Sequence, residues 1–593
     1  MKSMILALLA VILFPACSSM QKDGWSGGED SKRLQTIIDQ YWGFKIQESP
    51  TFATYTGDHR FDDQLDRVSL NDHKRRYLYL QGLFSEINGL DEDRLSEGER
   101  MSRSILKREV GNSIEELRFR SYLMPITGRS GFHIDLPELR NQMPLKTRRD
   151  YENYVARLRA IPQYFTDHID LMKEGLQSSL VPPQIVLKGY EASIEPHTSQ
   201  DLQKNVFYKP FLQFPNNMSP ADQEFLRAQG ADAVLNSVVP SYQRLAEFMK
   251  VEYYPHLRST IGTSDLPDGK EYYEHRVKMY TTLDLTPKDV HEMGLKEVER
   301  IKAEMAAVIQ KTPQKKMSFK EFLQFLRKSP QFYVKTPEQL MKETAWIMKQ
   351  AEGQLPSLFG RLPRIPVGLK EIPEYIAPKT TTAYYDSPPG DGSRAGYYYV
   401  NTYNLSARPL YEIEPLTLHE AVPGHHLQLA LQQEMEDLPK FRRFTYFTAF
   451  VEGWALYAER LGLEMGFYTD PYRDFGRLTY EMWRACRLVV DTGLHAFGWT
   501  REKAIQFMAE NTALSLHNIE AEVDRYITLP GQAVAYKIGE LKIRELRQLA
   551  EESLGKSFDI RTFHDALLGG GSLPLDLVEK SIHRHIARTK AKK

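Results

Sequence analysis

Cysteine is almost missing from this chain: Cys17 and Cys486 are all it has in 593 residues. A disulfide framework is thereby excluded. Long apolar runs are missing too, and the stretch from Ile5 to Phe14 falls short of the roughly 20 residues that cross a bilayer. Neither sign of charge dominates. Lys and Arg number 77 against 78 Asp and Glu, a formal net charge of −1, with no long block of one sign. The clustered basic excess of a nucleic-acid binder is therefore absent. No repeat of fixed period is evident, which argues against a solenoid.

What the N-terminus does have is the anatomy of a targeting segment. A weakly positive start, Met1-Lys2, precedes the apolar run, which ends in Phe14-Pro15-Ala16-Cys17. Small residues before a cysteine resemble a bacterial lipoprotein cleavage site, although an ordinary secretory signal or an uncleaved anchor has similar anatomy. The expected organisation is a signal peptide over 1–17, lipidation at Cys17 and a Ser/Gly-rich tether over 18–31. Ser18 follows the cysteine, and no aspartate resembling an inner-membrane retention signal stands there. A bacterial cell-envelope protein on the periplasmic face of the outer membrane is therefore expected, held to the membrane only through its lipid. Cys486 is then left alone in an apolar helical run and reads as an inert core thiol.

Beyond residue 31 the pattern is mainly α. Ser318-Phe319-Lys320-Glu321 and Thr336-Pro337-Glu338-Gln339 have the spacing of capping boxes, and Thr286-Pro287 opens a helix to about Gln310. Amphipathic periodicity covers about 31–47, 97–123, 146–175 and 220–251. Between Pro363 and Asn401, prolines, glycines and β-formers take over. Thr380–Asp386 and Gly396–Asn401 read as two strands of a hairpin, with Tyr385 and Tyr397 as candidate substrate contacts. The expected architecture is a large helical body with a small hairpin beside the metal helix. A soft division near Gly360 would separate a helical region, 32–360, from a catalytic region, 361–593.

The residues from His419 to Gln428 read His-Glu-Ala-Val-Pro-Gly-His-His-Leu-Gln. A zinc helix normally spaces its histidines four apart, on one face. His419 and His425 are six apart, which turns them about 120° from each other on a straight helix. Pro423 has no amide to donate to the His419 carbonyl, and Gly424 relaxes the backbone further, so a bulge or break is expected there. That distortion returns His425 to the metal face. His426 competes for the role by angle, but stands about 10.5 Å along the axis. It is otherwise a second-layer or substrate-contacting group. Glu452, within an apolar helix over about 443–465, is the expected third ligand, since a carboxylate there needs a partner. Glu420 is the expected general base. Glu459, two turns on, either orients a histidine or, as the stronger expectation, faces solvent.

In an apolar helix over 482–497, Arg484, Arg487, Asp491 and His495 recur at three to four residues. His495 and Tyr536 are candidate donors to an oxyanion, and Arg484 and Arg487 candidate forks for a substrate carboxylate. An ion-pair network holding helices in register has the same pattern. The motifs from His419 to Gln428, together with Glu452-Gly453-Trp454-Ala455, Asp491-Thr492-Gly493-Leu494-His495 and Asp524-Arg525-Tyr526 running to Pro530-Gly531-Gln532-Ala533, resemble the bacterial family called domain of unknown function 885. That family looks like a distant relative of the helical gluzincin peptidases. The resemblance implies a gluzincin-like fold, a zinc cofactor and a peptide substrate. A non-catalytic envelope lipoprotein of the same fold and a zinc amidase for cell-wall peptides are the alternatives. Nothing in the sequence sets the oligomeric state.

Overall fold

The computed structural model describes residues 26–592 apart from 129, 375, 376, 391 and 393. The signal segment with Cys17, and positions 18–25 of the expected tether, lie outside the described residues. The first helix, Glu29–Glu48, begins within the tether range, and Ser31 is buried against Glu99, to which its hydroxyl donates.

The body is mainly α, because most segments carry an apolar stripe and their own start signals. Ser318 accepts from the Glu321 amide while the Glu321 carboxylate accepts from the Ser318 amide, a complete capping box. Thr336 makes half of one: it caps Gln339, but the Gln339 side chain accepts from Lys335 instead. The helix opened by Thr286 runs Pro287–Ile309. The stretch expected as one helix over 220–251 is interrupted by π turns at Val234–Val238 and Met249–Tyr253. The first of these lies just ahead of Pro240, which cannot donate into an α-helical ladder.

The sheet has three strands rather than two, in the order β1-β3-β2: β1 Val367–Glu371, β2 Ala383–Asp386 and β3 Gly396–Val400. β2 and β3 pair antiparallel as a hairpin, and β1 adds in parallel to the other side of β3. β2 is left as an edge. No helix among the described residues is long and apolar enough to cross a membrane.

Two main apolar cores are formed by the described residues. One takes side chains from Leu34 to Ile586, on both sides of Gly360, and surrounds the His-Glu segment. The other, from Leu65 to Leu257, belongs to the N-terminal region alone. The axis of the larger core is the helix Pro471–Ala496, buried on every side from Phe475 to His495. The helices Thr448–Leu461 and Ala535–Leu554 touch backbone to backbone where Gly453 meets Gly539. A Cβ at Gly539 would fall 1.7 Å from the Ala449 carbonyl oxygen. Gly539→Ala is therefore expected to destabilise the protein by about 2–3 kcal/mol or more. Gly353→Ala, in a helix with open space around it, should be neutral or stabilising by about 0.5–1 kcal/mol. Urea unfolding of the two variants checks this, and equal midpoints would contradict it.

Candidate metal centre

Pro423 and Gly424 break the helix outright. Ile413–Glu420 ends, the chain turns through a cis Val422–Pro423 peptide, and His425–Gln433 begins a second helix. Only glycine fits at 424, since a Cβ there would lie 1.9 Å from the His419 carbonyl oxygen. Trp454 Nε1 donates to the Pro423 carbonyl at 2.9 Å. The turn is thereby tied to the helix that carries Glu452, two residues before the tryptophan.

The break brings His419, His425 and Glu452 together, all buried, with one ligand atom of each within 4.8 Å of the others. Glu452 Oε2 lies 3.5 Å from His419 Nε2 and 3.4 Å from His425 Nε2. Donors about 2.0–2.2 Å from a single ion at tetrahedral angles stand roughly 3.3–3.6 Å apart. The two His–Glu spacings fit a zinc-sized cation, and the donor set of two imidazoles and a carboxylate suits zinc. Glu452 Oε2 and His425 Nδ1 have no hydrogen-bond partner among the described residues. His426 is turned away: its Nε2 meets the Ile365 carbonyl and its Nδ1 the Tyr385 hydroxyl, each at 2.9 Å. Burial lowers its pKa to about 4.

Glu459 is no solvated residue. It is 1% exposed, and its Oε1 lies 2.8 Å from His419 Nδ1. Seven residues separate it from Glu452, nearly two turns, so both face inward together. A carboxylate on Nδ1 aims Nε2 at Glu452 and raises the imidazole's basicity. Burial alone would keep His419 neutral, but Glu452 and Glu459 outweigh it and raise its pKa to about 9. For Glu452 burial favours the neutral acid, yet the imidazoles of His425 and His419 hold it well below the usual carboxylate range. The helix expected over 443–465 is in fact Lys440–Arg443 and Thr448–Leu461 with an irregular segment between. From that segment the Tyr446 hydroxyl donates to Glu452 Oε1 at 3.3 Å.

The triad opens into a cavity of about 450 Å³, within the range of about 300–1,000 Å³ usual for small-ligand sites. Glu420, Tyr385, Arg484, Arg487 and Tyr536 line it, and so does Tyr55 from the N-terminal region. Three expected site residues do not line it: His426, turned away as described, His495 and Tyr397. His495 is fully buried, with Nδ1 on Thr263 and Nε2 2.9 Å from the Tyr526 carbonyl. Burial lowers its pKa to about 4. Tyr397 stands on the opposite face of the hairpin from Tyr385, its ring 3.6 Å from Lys370 Nζ. Asp491 also belongs to the scaffold, accepting from the Tyr273 hydroxyl and the Gly531 amide. Tyr446, Glu522 and Arg525 are wall residues that spacing alone does not reveal.

A helical body built around such a centre defines the class; comparison supplies the family. The chain belongs to the bacterial proteins of unknown function grouped as DUF885, whose model matches residues 50–582. A protein from Colwellia psychrerythraea, described as an inferred lipoprotein, has a solved structure that superposes with a TM-score of 0.88. It is 27% identical, and the match covers 94% of this chain and 99% of that one. A second inferred lipoprotein, of unknown function, from Shewanella oneidensis shares the fold at a TM-score of 0.68 and 19% identity, over 93% of this chain and 99% of its own. No curated protein matches the chain.

In metal-free protein His419 is a cation between two carboxylates. Its folded pKa lies above the unfolded value of about 6.5, so its stabilisation is complete below that pH and is lost as pH rises to about 9. Between pH 6.5 and 9 chelator-treated protein is expected to lose up to ~3 kcal/mol more stability than His419→Gln. Denaturant titrations across that range measure it, and identical slopes would refute the assignment.

Proposed function

We propose that this protein is a zinc-dependent peptidase of the bacterial cell envelope, distantly related to the helical gluzincins. The observation that carries the reading is one Glu452 oxygen facing two imidazole Nε2 atoms at 3.4 and 3.5 Å, with His419 Nδ1 held from behind by Glu459. His419, His425 and Glu452 would hold the metal. A bound zinc ion supplies Lewis acidity, lowering the pKa of water and polarising a carbonyl.

The chain's own groups do the rest. Glu420 follows the first ligand and lines the cavity; as general base it takes the proton of the attacking water and delivers it to the leaving amine. Tyr446 fixes Glu452, and Tyr536, on the same wall, offers a hydroxyl to an oxyanion. A peptide substrate is favoured by β2, an edge strand whose residues line the cavity. Among the described residues no strand pairs with its outer side, so an extended peptide can add there. The signal anatomy and the descriptions of the two similar structures support a lipid anchor at Cys17, with the outer membrane's periplasmic face as its site.

Purified protein is expected to hold one zinc per chain and to cleave members of a peptide library in a chelator-sensitive manner. Glu420→Gln should keep the zinc and lose about 10²–10⁴-fold in kcat/KM. Parental rates in that variant, or full activity in verified metal-free protein, would end this reading. Separately, Cys17→Ala should move the protein from the membrane pellet to the soluble periplasmic fraction; an unchanged distribution would remove the lipid anchor.

A further inference from the structure

The wall of the cavity facing the triad carries charge that the fold leaves unsatisfied. Arg484 and Arg487, on successive turns of Pro471–Ala496, are each 3% exposed and line the cavity. Arg484 spends Nη1 on the Tyr480 carbonyl and Nη2 on Glu459 at 3.2 Å. Arg487 spends Nε on the Tyr526 hydroxyl and Nη2 on Glu522 at 3.1 Å. Arg484 Nε and Arg487 Nη1 have no partner among the described residues. Buried guanidinium N–H groups are normally satisfied, and an exception inside a cavity calls for a ligand. Arg525, on the same wall, is the contrast: Nε and Nη2 meet Glu522 and Nη1 meets Gln532.

The charge balance points the same way. Three guanidinium groups, of Arg484, Arg487 and Arg525, share two carboxylates, Glu459 and Glu522, and Glu459 also serves His419. Aromatic rings hold the two forks in place. Arg487 lies 4.4 Å from the Trp483 ring and 4.3 Å from the Tyr536 ring, and Arg484 lies 4.5 Å from Trp483. A fixed, planar, incompletely paired guanidinium matches the geometry of a carboxylate.

We infer that Arg487 and Arg484 form an anchoring site for a substrate carboxylate, so that the peptides taken are acids, bound through a free C-terminus or an acidic side chain. The inference rests on the peptidase reading above and narrows it. Glu459 Oε1 touches both His419 Nδ1 and Arg484 Nη2, which places the anchor one carboxylate away from the first ligand. The bond cleaved then lies close to the anchored acid, which favours short peptides or trimming near a chain end.

Equilibrium binding to Glu420→Gln protein, in which turnover is expected to be strongly slowed, tests this by calorimetry. The probes are N-acetyl-trialanine as acid and as carboxamide, and N-acetyl-Ala-Ala-Asp-carboxamide. The trialanine acid or the aspartyl amide is expected to bind at least tenfold more tightly than the trialanine amide. Preference for the first alone assigns the C-terminus, and preference for both assigns any nearby carboxylate. Arg487→Met and Arg484→Met should each reduce the ratio below threefold, and Arg487→Lys should restore part of it. Equal binding of all three probes, binding of none, or a ratio that survives both methionine variants would overturn the anchor. The comparison of probes in the arginine-intact protein needs no variant of the wall, so misfolding cannot mimic its failure. If acids are preferred and the parent cleaves nothing, the peptidase reading falls while the anchor stands; cleavage without acid preference has the opposite meaning.

Discussion

At position 452 a carboxylate points inward from a helix whose neighbours Val451, Gly453, Trp454 and Ala455 are all buried. An isolated carboxylate in such a place would give up its charge. Here it keeps the charge because two imidazole edges converge on one of its oxygens. The rest of the site follows from that requirement. The His419 helix must stop before the chain drifts past Glu452, and His425 must restart from a point level with it. Gly424 allows the turn to fold against the His419 carbonyl, and Trp454 holds it there. The Gly453–Gly539 contact lets the helix of Glu452 lie deep enough to be met.

A carboxylate between two histidines is self-consistent with or without a metal, and the two states order protons oppositely. Without a cation, His419 binds a proton strongly and links Glu452 to Glu459. With a cation, that proton has to leave, so metal affinity rises with pH over the range in which the metal-free fold weakens. The same three side chains thus serve two electrostatic states, and Glu459 is what makes both workable. It accepts from Nδ1–H in either one.

Much of this was legible in the residues and some was not, for reasons that are geometric. The break at Pro423-Gly424 follows from the lost amide and the ring clash, so it can be read locally. Which imidazole then turns toward Glu452 depends on the angle between two helices, which local chemistry leaves open; His426 ends on Tyr385 and Ile365. His495 shares a three-to-four-residue spacing with Arg484, but lies eleven residues on, about 16 Å along the axis. On a helix buried all round, that distance reaches a different neighbour. Tyr397 fails by strand parity: Tyr385 pairs with Tyr398, and Tyr397 sits opposite Asp386, so it takes the other face. β1 escaped notice because a short parallel strand after a proline-rich stretch has neither a turn signal nor an alternating pattern of its own.

The polar stripe on Pro471–Ala496 resolves into two kinds of residue. Glu481, Asp491 and His495 are tied to other helices or loops and hold the larger core in register, while Arg477 pairs with Asp474 on its own helix. Arg484 and Arg487 line the cavity and are incompletely tied, each with one nitrogen that has no hydrogen-bond partner among the described residues. Because Glu459 is shared between His419 and Arg484, an anion taken up by the arginine releases Glu459 toward the imidazole. The proposed anchor and the proposed metal ligand therefore cannot be tuned separately. A change to either is felt at the other through one carboxylate, so in the proposed reading Glu459 couples the anchor to the metal ligand.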